Sequence, residues 1–328
     1  MTRASGVGSW PDGPVREVVR RVRDRLADGQ VPYLPELPGR GPGADMVGRT
    51  AAQLVEMPVD LQPSGWRLTD APGRDVARGQ AFLREDLDEL AEAYDGYTGP
   101  LKVQLCGPWT LAAALWLPRG DRAVVDPGAC RDLSGSLAEA AREHLSRIRG
   151  LIPGAELILQ LDEPSLPAVL TGRLRSSSGF GRLRAVDPGA VESGLQEVVD
   201  AVEGQADSVV IHCCAPDVPF ALLRQVGAAG LAIDTSLLTA RTWESVAASV
   251  EAGTTLWAGL VPTDTDASHP QAVVDPFLEG WRRVGLESSR LESVVVTPAC
   301  GLATRTPRQA DGVQALAVDA AAMLEQER

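Results

Sequence analysis

Short apolar runs alternate with amphipathic stretches of helical period along the whole 328 residues, and this alternation limits the fold more than any other feature. Strands are expected at Gly6–Pro11, Val31–Leu37, Lys102–Cys106, Leu157–Leu161, Ser208–Cys214, Gly230–Asp234, Thr255–Val261 and Leu291–Thr297. Helices are expected at Pro14–Leu26, Asp45–Met57, Arg78–Tyr94, Asp132–Gly150, Val191–Val202, Val218–Val226, Trp243–Glu251, Val273–Val284 and Thr306–Glu325. Residues 58–78, rich in Pro, Gly and Asp, read as a surface excursion. Eight strand-then-helix units in a chain of this length favour an α/β fold of the (β/α)8 TIM-barrel type, as one domain over residues 1–328. A doubly wound open sheet is the runner-up.

A barrel of this kind places chemistry where strands end. The unusual residues collect at those places: Ser9, Glu36, Trp109, Asp162, Glu163, His212, Cys214, Asp234 and Cys300. The formal charge of −13 argues against a nucleic-acid partner, which needs clustered Lys and Arg. The N-terminal residues carry no apolar signal segment, and no run is long enough to span a membrane. Five Cys in such a chain read as reduced thiols in a cytoplasm.

Three of the eight His and Cys residues sit together in His212-Cys213-Cys214, at the end of the apolar run Val209-Val210-Ile211. Alternate residues of a strand share a face, so His212 and Cys214 point together and Cys213 points away. A tetrahedral zinc site needs further ligands. Cys300, just past the last strand, and Asp234, at the end of the strand after the His-Cys strand, are the candidates. An Asp at a strand end also caps helices, so Asp234 has a second reading. Cys106, Cys130 and Cys213 read as small buried hydrophobes, and His144 as a solvated residue on a charged helix.

These motifs together resemble the catalytic barrel of cobalamin-independent methionine synthase, in register over nearly the whole chain. Gly8-Ser9-Trp10-Pro11 resembles the family's Gly-Ser-Phe-Pro. Glu36 followed by Asp45-Met46-Val47 resembles its His-Gly-Glu and Asp-Met-Val segments. Gly107-Pro108-Trp109-Thr110 is similar to Gly-Pro-Val-Thr, and Gln160-Leu161-Asp162-Glu163-Pro164 to Gln-Ile-Asp-Glu-Pro. His212-Cys213-Cys214 matches His-x-Cys, and Pro298-Ala299-Cys300-Gly301-Leu302 resembles Pro-Asp-Cys-Gly-Leu. The resemblance implies Zn2+ held by His212, Cys214 and Cys300, with Asp234 where the family has a Glu. It implies homocysteine as acceptor, its ammonium gripped by Glu36 and Asp162 and its carboxylate placed by Ser9.

The chain departs from the family in two places. It starts at the catalytic barrel, without the N-terminal barrel that helps hold folate in the full-length enzymes. The loop Gly259–Asp266 lacks the His that the family places after its seventh strand, and His269 is out of register. Both departures concern the methyl donor, which is expected to be methyltetrahydrofolate or a corrinoid such as methylcobalamin, carried in some relatives by a partner protein. The expected activity is zinc-dependent methyl transfer to homocysteine, giving methionine, with Trp109 as a wall of the donor pocket. The alternatives are transfer to another thiol, as in coenzyme-M-type enzymes, a metal-free uroporphyrinogen-decarboxylase-like enzyme, and a non-catalytic zinc-binding protein.

Overall fold

The structure is a computed structural model that describes residues 1–264 and 269–328. Its first elements are strand β1 (Arg3–Ala4) and helices α1 (Val15–Arg25) and α2 (Met46–Ala51). A hairpin of β2 (Val59–Gln62) and β3 (Gly65–Leu68) follows, then α3 (Arg74–Ala93). The middle of the chain gives β4 (Pro100–Cys106), α4 (Pro108–Ala114), α5 (Pro127–Leu151), β5 (Glu156–Asp162), α6 (Leu166–Leu170) and α7 (Pro188–Ala201). The remainder is β6 (Ser208–Cys213), α8 (Phe220–Gln225), β7 (Gly230–Asp234), α9 (Ala240–Glu251), β8 (Thr255–Val261), α10 (Gln271–Arg283), β9 (Val294–Pro298) and α11 (Pro307–Gln326).

Seven of these strands form one curled, all-parallel sheet in the order β1-β9-β8-β7-β6-β5-β4. Both edges of that sheet hydrogen-bond to the extended segment 31–37. On one side Val31 N–H donates to Ala4 O at 2.9 Å and Glu36 N–H to Gly8 O at 3.1 Å. On the other, Leu34 N–H donates to Lys102 O at 3.0 Å and Lys102 N–H to Pro32 O at 2.9 Å. Pro32 and Pro35 have no N–H to give, so this segment pairs only through single bridges at Tyr33 and Glu36.

The side-chain period of two sorts the sheet into two faces. Val31, Ile158, Val210, Ala232, Trp257 and Val295 form a small cluster of their own on the concave face. The alternate residues, such as Leu159, Ile211 and Val296, join the large core between sheet and helices. Helix α1 turns Val15, Val18, Val19 and Val22 inward, as its spacing predicts. Asp126 and Asp187 start α5 and α7 by accepting from the first free backbone N–H groups. Among the described residues no helix is long and apolar enough to cross a membrane.

The structure corrects several expectations. Sheet pairing begins at Arg3–Ala4, ahead of the expected Gly6–Pro11, where these two residues lie in register with Val295 and Val296 of β9. Residues 58–78 are no mere excursion: they hold the β2–β3 hairpin, and α3 begins at Arg74. Helix α5 starts at Pro127, five residues before the expected start, because Asp126 caps it. His144 is buried, not solvated: it lies in a cleft that Gln80, Leu83 and Arg84 of α3 line from the other side. Thr265 and Asp266, part of the loop expected to lack a His, lie outside the described residues; His269 is exposed.

Candidate active site

The candidate residues are delivered by the C-terminal ends of the parallel strands. Asp162 ends β5 and His212 is its register partner on β6. Their side chains meet on the concave face: His212 Nδ1 lies 2.7 Å from Asp162 Oδ1, and Gln160 Nε2 donates to the same oxygen at 2.7 Å. Both residues are buried, and His212 Nε2 has no hydrogen-bond partner. Cys213 is buried and shares the outward parity of Ile211, as strand alternation requires. Cys106 and Cys130 are buried free thiols, as expected.

Cys214 leaves β6 half-buried, and Cys300 follows β9 exposed, with their Sγ atoms 3.5 Å apart. Two thiolates on one tetrahedral zinc, each ~2.3 Å from it, would sit ~3.8 Å apart. The pair therefore has close to the spacing that a shared ion needs. The Cys214 S–H donated to Cys300 holds the Cys300 thiol below the usual range and Cys214 above it; His212 also lowers Cys300. The turn after Cys300 is fixed by Ser9. Leu302 N–H donates to Ser9 O at 2.9 Å, and a Cβ on Gly301 would strike Ser9 Oγ.

Asp234 behaves differently. Its Oδ1 accepts from Ser236 N–H at 2.9 Å and from Ser236 Oγ–H at 2.7 Å, capping a short 3-10 turn. Among the described residues no group of three or more His, Cys, Asp or Glu side chains is arranged to hold a metal ion. The donor set fits zinc in part: two adjacent thiols and a buried imidazole with one free nitrogen fit it, while Asp234 spends its Oδ1 on its own turn.

Glu36 lies beside Ser9 through a parallel bridge, so the two ride together. It is 3% exposed, and burial pushes its carboxyl up to about 7. Asp162 adds to that rise, while Arg49, Gln104 and Lys102 oppose it. Beneath them the interior is polar. Lys102 Nζ donates to Val7 O at 2.7 Å, Gln104 Nε2 to Leu34 O at 2.7 Å and Gln160 Nε2 to Val7 O at 2.9 Å. Burial pushes Lys102 down to about 8 against the pull of Asp162 and Glu36. Lys102, Gln104 and Arg49 were not anticipated. The signal was there for the first two, as polar residues at every second place in the apolar run Leu101–Leu105.

Glu163 faces the other way. It accepts from Trp109 N–H and Thr110 N–H, each at 2.8 Å, and from Thr110 Oγ–H at 2.7 Å, closing the start of α4. The Trp109 indole donates to Val191 O at 2.9 Å and lines a cavity of about 950 Å³ between α5 and α7. None of the other candidate residues lines that cavity.

The profile of the family described as cobalamin-independent synthase, catalytic domain, matches residues 1–323. No curated protein matches the chain significantly. Among solved structures, a B12-independent methionine synthase from Shewanella sp. W3-18-1, in complex with selenomethionine, superposes with a TM-score of 0.65 at 13% identity. The match covers 99% of this chain and 98% of that one, and shows a shared fold. A GH138 enzyme targeting pectin rhamnogalacturonan II matches at 11% identity over 97% of this chain and 39% of its own, with a TM-score of 0.38, too low to carry an argument.

Proposed function

The chain belongs to the cobalamin-independent methionine synthase family, and from that premise we propose that it transfers a methyl group to the thiol of homocysteine, giving methionine, with the help of zinc. The observation that carries this reading is the Cys214–Cys300 thiol pair, 3.5 Å apart, beside a His212 whose Nε2 is free. His212, Cys214 and Cys300 would hold the metal. Bound zinc would supply the acceptor as a thiolate at neutral pH, where a free thiol with pKa ~8.5 is mostly protonated. Asp234 joins them only if it gives up its cap on Ser236.

The chain's own residues do the rest. Asp162 accepts the His212 Nδ1 proton, which fixes the ring and turns Nε2 toward its ligand role. Glu36 and Asp162 place negative charge for the amino acid's ammonium, and Ser9 stands beside Glu36 for its carboxylate. Gln160 holds Asp162 from below, while Lys102 and both glutamines tie the polar interior to the backbone of Val7 and Leu34. The cavity beside Trp109 is lined by none of the residues read as the acceptor site, so it lends the methyl-donor reading of Trp109 no support. The fold itself is read as one closed (β/α)8 barrel over residues 1–328, supported by the bonding of segment 31–37 to both sheet edges.

Methyltetrahydrofolate is the donor the family suggests; a corrinoid remains the alternative. The test is homocysteine methylation by zinc-loaded protein, with methyltetrahydrofolate and methylcobalamin offered separately. Methionine formed from either, and lost in Cys300→Ser, supports the assignment. Methylation of 2-mercaptoethanesulfonate in preference to homocysteine would replace the acceptor, and full activity after complete zinc removal would overturn the metal role.

A further inference from the structure

Behind Glu36 runs a chain of alternating charges. Arg49, on α2, places its Nε 4.0 Å from Glu36 Oε1, with only 1% of its side chain exposed. Its Nη1 pairs with Asp86 Oδ2 on α3, which is equally buried. Asp86 Oδ1 accepts from Arg40 Nη2 at 2.6 Å, and Arg40 Nη1 reaches Glu85 Oε2 at the surface, at 3.3 Å. The order Glu36, Arg49, Asp86, Arg40, Glu85 thus leads from the concave face to solvent. Buried ion pairs cost desolvation that their attraction only partly repays, so they are weak sources of stability. The loose ends of this chain lie at its inner end: Glu36 Oε1 and Arg49 Nη2 are both buried and without a hydrogen-bond partner.

We propose that Arg49, anchored by Asp86 and Arg40, is a positioning residue that aims the Glu36 carboxylate at the ammonium of the amino-acid acceptor. The inference rests on the function proposed above. Asp86 sets the sign. An unpaired guanidinium beside Glu36 would repel an ammonium, whereas Arg49 paired with Asp86 is neutral as a unit and leaves the charge of Glu36 to the substrate. The charged and polar groups facing Glu36 are Arg49 from α2, Lys102 and Gln104 from β4, and Asp162 from β5.

The test compares wild type with Arg49→Lys, Arg49→Gln and Asp86→Asn in the zinc-loaded full chain. It reads kcat and KM for homocysteine against pH, and the Glu36 carboxyl by isotope-edited infrared titration, assigned with Glu36→Gln. Loss of the guanidinium removes a cation that favours the carboxylate, so Glu36 titrates higher. If Glu36 becomes a tenfold weaker acid, the rising limb of kcat/KM moves up by about one pH unit, a loss of about tenfold at a fixed pH below it. The change falls on KM more than on kcat, and Lys at 49 restores part of it. Asp86→Asn frees Arg49 to pair with Glu36 alone, so Glu36 titrates lower while KM still rises. Opposite movements in the two variants support the proposal; a Glu36 titration unmoved in folded Arg49→Gln and Asp86→Asn overturns it. If Arg49→Gln fails to fold, Arg49→Lys and Asp86→Asn decide. Wild-type protein that binds no homocysteine would defeat the functional reading instead, and the infrared titration would still report whether Arg49 and Glu36 are coupled.

Discussion

Asp162 Oδ1 and His212 Nδ1 lie 2.7 Å apart on neighbouring strands, at the same register, with the opposite ring nitrogen left free. A carboxylate behind an imidazole fixes its tautomer and raises its basicity, and removing such a partner costs ~10–100-fold in metal affinity. Asp162→Asn keeps the shape and removes the charge, so zinc affinity, measured by chelator competition, is expected to fall by about that factor. Affinity equal to wild type in a folded variant would refute this role for Asp162.

Glu163 lies close by but serves the fold. Its carboxylate closes the start of α4, yet burial pushes its pKa up to about 7 from 4.5. An acid raised in the folded state contributes stability that is complete below its unfolded pKa and lost as pH rises through the folded one. Glu163→Gln is therefore expected to gain on wild type by roughly 3 kcal/mol between pH ~4.5 and pH ~8. Urea unfolding at several pH values measures this, and a pH-independent difference between the two proteins would contradict it.

The parts legible in the sequence are those where one period dominates. The buried run Leu157–Leu161 forms β5, and the parity of His212, Cys213 and Cys214 follows from a strand's period of two. What stayed hidden depends on contacts distant in sequence. Arg3–Ala4 carries no apolar run and becomes a strand only because β9 lies beside it. Arg49 and Asp86, on separate helices, look like ordinary surface charges until α2 meets α3. Asp234 had two local readings, ligand or cap, and its Oδ1 bonds to Ser236 show the cap without excluding the other.

His144 shows what burial does to a side chain that reads as solvated. It lies on α5 with neither ring nitrogen partnered, and burial, with Arg49 and Arg147 nearby, pushes its pKa down to about 3. A base lowered in the folded state gives stability that is complete above its unfolded pKa of 6.5 and lost as pH falls toward 3. Replacing an unpartnered buried polar group by an apolar one of similar size is close to neutral or stabilising. His144→Leu should match or exceed wild-type stability at pH 7.5, and its advantage should grow by several kcal/mol as pH falls to about 4. Thermal unfolding across that range decides, and loss of stability at both ends would exclude the account.

The Cys214–Cys300 pair carries a liability along with its proposed role. A disulfide needs its sulfurs ~2.05 Å apart, and these thiols start at 3.5 Å on two segments at the accessible rim of the sheet. Cys300, the thiol held below the usual range, is the better nucleophile. Diamide should therefore convert these two thiols to one disulfide, the azo reagent taking up both electrons and both protons as it becomes a hydrazine. Thiol titration should find three of the five cysteines remaining, and peptide mapping should join Cys214 to Cys300. Zinc uptake should be lost with the thiols and regained on reduction, and zinc-loaded protein should react far more slowly, because both sulfurs would have to leave the metal before they could join. Cys300→Ser should show no such bond. A crosslink through Cys213 instead would mean that the outward parity assigned to that residue is wrong, and five surviving thiols would mean that the two segments are held apart in solution.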